Sequence, residues 1–165
     1  MTECIQQNIT FRQTLFKFIF IVCVIFIIDQ AIKLFFIYHC NAIEGCYLWQ
    51  SKFFSLVLVF NKGVAFSLFS FLGSYLKLLQ FVCILILFIF IVKNRVFFIH
   101  FTTAISLIFA GGVSNLFDRF IHEGVVDYIY WHYYFNFAIF NLADVVINIG
   151  VGVFLIQFFY KKFKK

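Results

Sequence analysis

Four long apolar runs limit this chain to one class of fold. The first covers roughly residues 17–37, and at about 1.5 Å per residue it is long enough to cross a hydrocarbon core of about 30 Å. The others cover about 75–92, 96–116 and 138–159. Only 12% of the 165 residues are charged, against about 25% in soluble domains, so the chain cannot cover itself with a polar shell. We therefore expect one integral-membrane domain over residues 1–165.

The first apolar run is expected to stay in the mature protein as a helix. It is too long for the apolar region of a typical signal peptide, and no small-x-small cleavage site follows it. Basic residues gather at one end of the four runs: Arg12 and Lys17, Lys93 and Arg95, and four lysines at the C-terminus. The positive-inside bias makes this end cytoplasmic, with both termini inside and a multi-pass topology. The long loops, about 38–74 and 118–137, then face outward.

The first outer loop has the composition of a small sheet. Residues 47–69 are rich in β-branched and aromatic side chains with partial alternation. A sheet with open edges belongs at the interface rather than at membrane depth. The predicted fold is thus an all-α membrane protein with four transmembrane helices and a small extracytoplasmic β-rich cradle between helices 1 and 2. Cys40 and Cys46 share this loop, where a local disulfide and two free thiols are both possible.

Three of the four aspartates lie between residues 111 and 144, at the outer ends of the last two apolar runs. Carboxylates are costly at membrane depth, so their presence points to function. Asp127 is close in sequence to the helix that carries Asp144, so the two carboxylates can meet. A pair sharing one proton can activate water and polarise a carbonyl, as aspartic proteases do. The alternative is that each aspartate separately caps a helix or pairs with a cation.

Other polar residues have structural interpretations beside functional ones. Asp29 and Lys33, at i,i+4 spacing, are expected to form a structural pair. Asn61 and Gly63 suit a turn, or alternatively a sheet edge that binds an extended peptide. At the end of the third run, Asp118 and Arg119 can pair locally, and the guanidinium also suits carbonyl or phosphate oxygens. Two further candidates are Asn115 in the third run and Asn141, on the same helical face as Asp144.

Several classes of function lack support in the sequence. HExxH is absent, the cysteines lack zinc spacing, and no Ser-His or Cys-His arrangement is evident. We expect no metal, no cofactor and no nucleic-acid partner. A small transporter using the acids as an ion path, and a noncatalytic assembly factor, remain as alternatives to a protease.

Five motifs resemble those of the lipoprotein signal peptidases, the bacterial type II signal peptidases, over nearly the whole chain. They are Asp29-Gln30-x-x-Lys33, Asn61-x-Gly63-x-Ala65-Phe66, Gly111-Gly112-x-x-Asn115-x-x-Asp118-Arg119, Gly124-x-Val126-Asp127-Tyr128 and Phe140-Asn141-x-Ala143-Asp144. Each motif is weak alone, but all five in this order form a specific signature. The chain departs from the family pattern at Ser114, usually glycine, at Tyr128, commonly phenylalanine, and at Val145, often a small or hydroxyl residue.

The resemblance implies an aspartyl endopeptidase that removes the signal peptide from diacylglyceryl-modified prolipoproteins, just before the lipidated cysteine. By motif, Asp127 and Asp144 correspond to its catalytic aspartates. The resemblance also implies a protein of the bacterial inner membrane, with the site at the periplasmic face. The positions that line or support the site correspond to Asn61, Gly63, Asn115, Asp118, Arg119, Asn141 and Ala143. The partners implied are the lipidated substrates and membrane lipids, and we expect a monomer.

Overall fold

The computed structural model describes residues 2–63 and 75–163, with the side chains of the first helix from residue 11 onward. Over these ranges the chain forms four long helices: α1 (Thr2–His39), α2 (Tyr75–Lys93), α3 (Arg95–Ile121) and α4 (Leu142–Phe163). Three strands lie between them: β1 (Tyr47–Gln50), β2 (Phe54–Asn61) and β3 (Val125–Trp131). All four helices are long and apolar enough to cross a membrane, as expected from the sequence.

Two helix bounds differ from the sequence-based prediction. The helix that holds the first span begins at Thr2, so it extends well before residue 17, where the predicted span starts. The fourth helix begins at Leu142, not near 138. Phe140 instead pairs as a bridge with Ile129, so the chain is still extended there. Asp144 consequently lies in the first turn of α4, closer to the helix start than a helix beginning near residue 138 would place it.

The sheet is antiparallel, in the order β1-β2-β3. Its first two strands come from the first outer loop, as predicted, although Ala65 and Phe66 of the predicted segment lie outside the described residues. The third strand comes from the segment between α3 and α4, which was predicted only as a loop. In the β2–β3 register Val59 is paired with Asp127, so the sheet carries one of the two aspartates.

An apolar cluster joins this sheet to the end of α1. Phe36 and Cys40 of α1 and its C-terminal turn pack with Leu58, Val126 and Tyr128. Phe36 stacks on Tyr128, with ring centroids 4.6 Å apart. Cys40 also forms a disulfide with Cys46, so of the two alternatives left by the sequence the structure has the bridge. The sheet is therefore fixed to the helical bundle by apolar packing and by a covalent link.

Helix α3 packs against the other three helices and approaches α4 most closely through glycine. A Cβ on Gly111 would lie 2.5 Å from the Ala143 carbonyl oxygen, so the two backbones are nearly in contact there. Small residues at a helix–helix contact permit such an approach. At the opposite end of the bundle, Arg95 lies over the ring of Phe11. The basic ends of the helices therefore lie together, away from the sheet.

Candidate active site

The N-terminus of α4 holds Asp144 through a reciprocal cap with Asn141. The Asp144 N–H donates to Asn141 Oδ1 at 3.0 Å, and the Asn141 N–H donates to Asp144 Oδ2 at 3.2 Å. This is the geometry of a capping box, with asparagine and aspartate in place of the usual serine and glutamate. The cap explains why the helix begins at Leu142, and it fixes the Asp144 carboxylate at the start of the helix.

Two other elements satisfy the next free N–H groups of α4. The Leu142 N–H donates to Tyr128 Oη at 3.0 Å, and the Ala143 N–H donates to Asp29 Oδ1 at 3.0 Å. Helices leave their first N–H groups without intrahelical partners, and here β3 and α1 supply them. The position of Asp144 therefore depends on the packing of the sheet and of the first helix.

Asp127 lies in β3 and is only 2% exposed. Its Oδ2 accepts a hydrogen bond from Asn61 Nδ2 at 2.9 Å, and its Oδ1 accepts one from Asn141 Nδ2 at 2.7 Å. Burial, and secondly the nearby charge of Asp144, raise the pKa of Asp127 from 3.8 to about 7, although both hydrogen bonds oppose the shift. The carboxyl group of Asp127 thus tends to keep a proton close to neutral pH.

Asp127 and Asp144, predicted as a pair, are brought to one cavity. Asn141 hydrogen-bonds to both of them, and both line a cavity of about 860 Å³. The cavity has a largely apolar wall that includes Leu76, Leu79, Cys83, Val145 and Ile149. Two acids beside a space large enough for a peptide segment can act together on a bound carbonyl and a water molecule.

Asn115 connects Asp144 to a buried cation. Its Nδ2 donates to Asp144 Oδ1 at 2.8 Å, while its Oδ1 accepts from Lys33 Nζ at 2.9 Å and from Asn141 Nδ2 at 3.1 Å. An ammonium group can only donate, so Lys33 requires the oxygen of the Asn115 amide to face it. The amide nitrogen is thereby directed toward Asp144.

Lys33 also forms ion pairs with two buried aspartates. Its Nζ lies 2.7 Å from Asp29 Oδ2 and 2.6 Å from Asp118 Oδ2, and all three side chains are at most 1% exposed. Gln30 donates to Asp118 at 2.8 Å, and the Ser114 hydroxyl donates to Asp29 at 2.7 Å. The predicted pair of Asp29 and Lys33 is present, but it belongs to a network that joins α1 to α3.

The expected local pairing of Asp118 with Arg119 is not what the structure has. Successive helical residues point in different directions, so Asp118 reaches Lys33 while Arg119 lines the cavity. Arg119 Nη1 donates to Gln80 Oε1 at 2.8 Å, and Nη2 donates to the carbonyl oxygen of Gly63. Gly63 itself donates to Asn61 Oδ1, so the predicted turn at Asn61 is present beside its contact with Asp127.

Four polar residues around the site were not predicted as site residues, although some of them belong to the motifs. They are Gln30, Gln80, Ser114 and Tyr128. Gln80 was detectable, since it is a neutral polar side chain within the apolar run of α2. Ser114 and Tyr128 were noted as departures from the family pattern, and both hydroxyls prove to be hydrogen-bonded. Their partners lie far away in sequence, so spacing could not identify them.

The structure also brings together a serine and a histidine that the sequence did not connect. Ser55 Oγ lies 2.8 Å from His132 Nε2. Ser55 is 4% exposed and lies in the middle strand of the sheet, and neither residue lines the cavity that holds the two aspartates. The contact joins β2 to the end of β3, so we assign it a structural role.

Comparisons with known proteins identify the family. The family model described as signal peptidase (SPase) II matches residues 21–160. A protein named lipoprotein signal peptidase from Helicobacter pylori (strain P12) is 50% identical over 154 residues, which cover 93% of this chain and 94% of the relative. One of the same name from Wolinella succinogenes is 46% identical over 151 residues, with 92% and 99% covered.

A solved structure supports the same assignment at the level of the fold. It is described as a bacterial membrane enzyme studied by the in meso method at 2.3 Å resolution. Its TM-score is 0.76 at 27% identity, over 90% of this chain and 91% of that one. With a family model and full-length relatives in agreement, the chain belongs to the signal peptidase II family.

Proposed function

We propose that this chain removes the signal peptide from diacylglyceryl-modified prolipoproteins, cutting on the N-terminal side of the lipidated cysteine. In this proposal Asp127 and Asp144 are the catalytic aspartates of a single protease domain over residues 1–165. The observation that carries the proposal is that Asn141 donates to both carboxyl groups at the edge of one cavity, through its side-chain amide to Asp127 and through its main-chain N–H to Asp144. Membership of a family of aspartic peptidases supports the same reaction.

The chemistry follows from two acids that share one proton. The ionised carboxylate takes a proton from water, whose oxygen attacks the scissile carbonyl carbon, while the protonated partner donates to the carbonyl oxygen. The tetrahedral intermediate then collapses: the C–N bond breaks as the leaving nitrogen takes the proton that the first carboxylate took from water, and the second carboxylate regains its proton from a hydroxyl group of the intermediate. The raised pKa of Asp127 supports the presence of that shared proton near neutral pH.

The supporting residues keep this pair in place. Asn61 and Asn141 donate to Asp127, Asn115 donates to Asp144, and the Ala143 N–H fixes the start of α4 against Asp29. Arg119 adds a positive charge at the cavity wall. Because these groups are held before substrate arrives, little reorganisation is needed when charge develops during the reaction.

The substrate's lipid accounts for the apolar wall. Leu76 and Leu79 of α2 and Ile149 of α4 line the cavity along helices that we expect to face the bilayer. Acyl chains lying against such a wall would place the peptide bond beside the aspartates. Anchoring of this kind raises the effective concentration of the scissile bond and reduces the need for sequence recognition.

The site is proposed to face the periplasm, with both termini in the cytoplasm. The sheet and the aspartates lie at the end of the bundle opposite the basic clusters, which the positive-inside bias assigns to the cytoplasm. The disulfide between Cys40 and Cys46 lies at the sheet end. Such bonds persist in the periplasm but are rare in the cytosol, so the disulfide supports the same orientation.

A cleavage assay tests the proposed function. The purified protein in lipid vesicles is given a diacylglyceryl-modified prolipoprotein peptide, or the same peptide with an unmodified cysteine, and the products are sequenced by mass spectrometry. We expect cleavage of the modified peptide before the lipidated cysteine and at least about tenfold less cleavage of the unmodified one, because only the lipid raises its effective concentration. Equal cleavage of the two peptides would contradict the substrate class. No cleavage of either would favour a transporter or an assembly factor.

A further inference from the structure

Gln80 is an exception in its helix, because α2 is otherwise apolar over most of its length. An amide at membrane depth is costly unless its donors and its acceptor have partners. Gln80 has partners on both sides: its Nε2 donates to the carbonyl oxygen of Gly112 at 3.0 Å, and its Oε1 accepts from Arg119 Nη1 at 2.8 Å. The first contact fixes the orientation of the amide, so that its oxygen is left for the guanidinium group.

Arg119 is the cation at the wall of the cavity. It is 7% exposed, and its Nη2 donates a hydrogen bond to the carbonyl oxygen of Gly63. The guanidinium has five N–H donors in a planar fork, so two contacts at its Nη atoms leave donors available in the same plane. Arginine has a long, flexible side chain, so its guanidinium plane has a fixed orientation only when contacts hold it. Gln80 supplies the contact from α2, and Gly63 the contact from the end of β2.

We propose that Gln80 is a positioning residue for Arg119, and that together they direct the free guanidinium donors to a main-chain carbonyl oxygen of the substrate peptide. The proposal rests on the peptidase function proposed above and adds a binding contact to it. A neutral carbonyl oxygen suits this place, since Arg119 already lies in the field of Asp127 and Asp144 and a second anion would be repelled by them. Gln80 and Arg119 line the same cavity as the two aspartates. A peptide bound beside the aspartates therefore also lies near Arg119.

The contact is one of binding rather than of bond breaking. An interaction made equally with substrate and transition state changes KM and leaves kcat nearly unchanged. Replacing Gln80 should thus weaken substrate binding through the freedom it gives to Arg119. The same replacement should have little effect where residue 119 no longer carries a planar fork of donors, because lysine cannot present one.

The test is a double-mutant cycle with the lipidated peptide, using Gln80→Leu, Arg119→Lys and the combined variant. We expect Gln80→Leu to raise KM about tenfold and to change kcat less than about threefold, and to change KM less than about twofold in the Arg119→Lys background. Gln80→Glu keeps an acceptor for Arg119 but loses the donor to Gly112, so its KM should rise less than that of Gln80→Leu, by no more than about threefold. Gln13→Leu, the same replacement at an exposed site in α1, is the matched control.

Two results would overturn the proposal: a wild-type KM for Gln80→Leu, or the same increase in KM in both backgrounds. If Gln80→Leu does not yield folded protein, the Gln80→Glu variant decides, since a tenfold rise in its KM would equally contradict the acceptor role. Cleavage of the lipidated peptide by the wild-type protein in the same assay tests the peptidase function independently of this inference. Failure of the cycle would then concern Gln80 alone.

Discussion

Asn141 hydrogen-bonds to both aspartates. It is fully buried, donates to Asp127 and also caps the helix that carries Asp144. It therefore fixes the distance between two groups that would otherwise repel each other. The sequence placed Asn141 on the same helical face as Asp144 but gave no sign that its amide would also reach β3.

Replacing Asn141 with alanine should damage both the site and the helix. The loss of a helix cap costs about 1 kcal/mol, and unpaired buried groups cost about 1–3 kcal/mol more. We expect a free energy of unfolding lower by about 2–3 kcal/mol and a kcat at least about tenfold lower. Thermal unfolding in detergent and steady-state cleavage measure these. Asn94→Ala, at the exposed start of α3, serves as control; equal kcat in the two variants would refute the role assigned to Asn141.

Lys33 should be needed for stability, because it forms ion pairs with two buried aspartates, Asp29 and Asp118. Removal of one member of a buried ion pair costs about 3–5 kcal/mol, since the remaining charge is left without compensation. Lys33→Met should lower the unfolding temperature sharply, while Lys52→Met, at an exposed position, should not change it. Equal unfolding temperatures for the two variants would mean that Asp29 and Asp118 do not require the ammonium group.

The raised pKa of Asp127 predicts two effects of pH. Between about pH 4 and about pH 7 the folded protein binds a proton at Asp127 that the unfolded chain has released, so stability should fall as pH rises through this window. Activity should decline above about pH 7, as the shared proton is lost. Unfolding temperature and kcat measured from pH 4 to 9 test both effects. In Asp127→Asn the fall in stability should become smaller, and an unchanged slope would assign it to another group.

At the scale of elements, the contact between α3 and α4 sets the position of Asp144. A Cβ on Gly111 would meet backbone at 2.5 Å, so Gly111→Ala must push α4 away. Overpacking of this kind costs about 1–3 kcal/mol, and the shift should lower kcat as well. The control is Gly152→Ala in α4, where a Cβ would meet nothing within 4 Å. If Gly111→Ala unfolds at the same temperature as Gly152→Ala and cuts as fast, the close approach is not what holds the site.

The helices could be predicted from the sequence, whereas the third strand could not. Long apolar runs identify a span because length and hydropathy are local properties. The pairing of β3 with β2 joins residues such as Asp127 and Val59, which are far apart in the chain, and no pattern inside β3 reveals its partner. For the same reason, the ion pair of Lys33 with Asp118 could not be predicted, since the two residues are far apart in the chain. The start of α4 was placed too early because residues 138–140 are apolar enough to continue the run.

At the scale of the whole molecule, the bundle has a basic end and an end that carries the sheet, the disulfide and the aspartates. The disulfide also bears on the orientation. In a variant with its other cysteines changed to serine, a membrane-impermeant maleimide should label Cys40 and Cys46 from the periplasm after mild reduction, and should not label them before it. Labelling that requires disruption of the inner membrane would reverse the proposed orientation.

The central claim is that Asp127 and Asp144 act as one catalytic unit. Its most direct test is the kcat of Asp127→Asn, Asp144→Asn and the double variant with the lipidated peptide, with Glu123→Gln as an exposed acid-to-amide control. Residues that act as a unit are strongly non-additive, so each single variant should lose at least about a thousandfold and the double variant little more. Losses that multiply in the double variant, or turnover near that of Glu123→Gln in either single variant, would contradict the account.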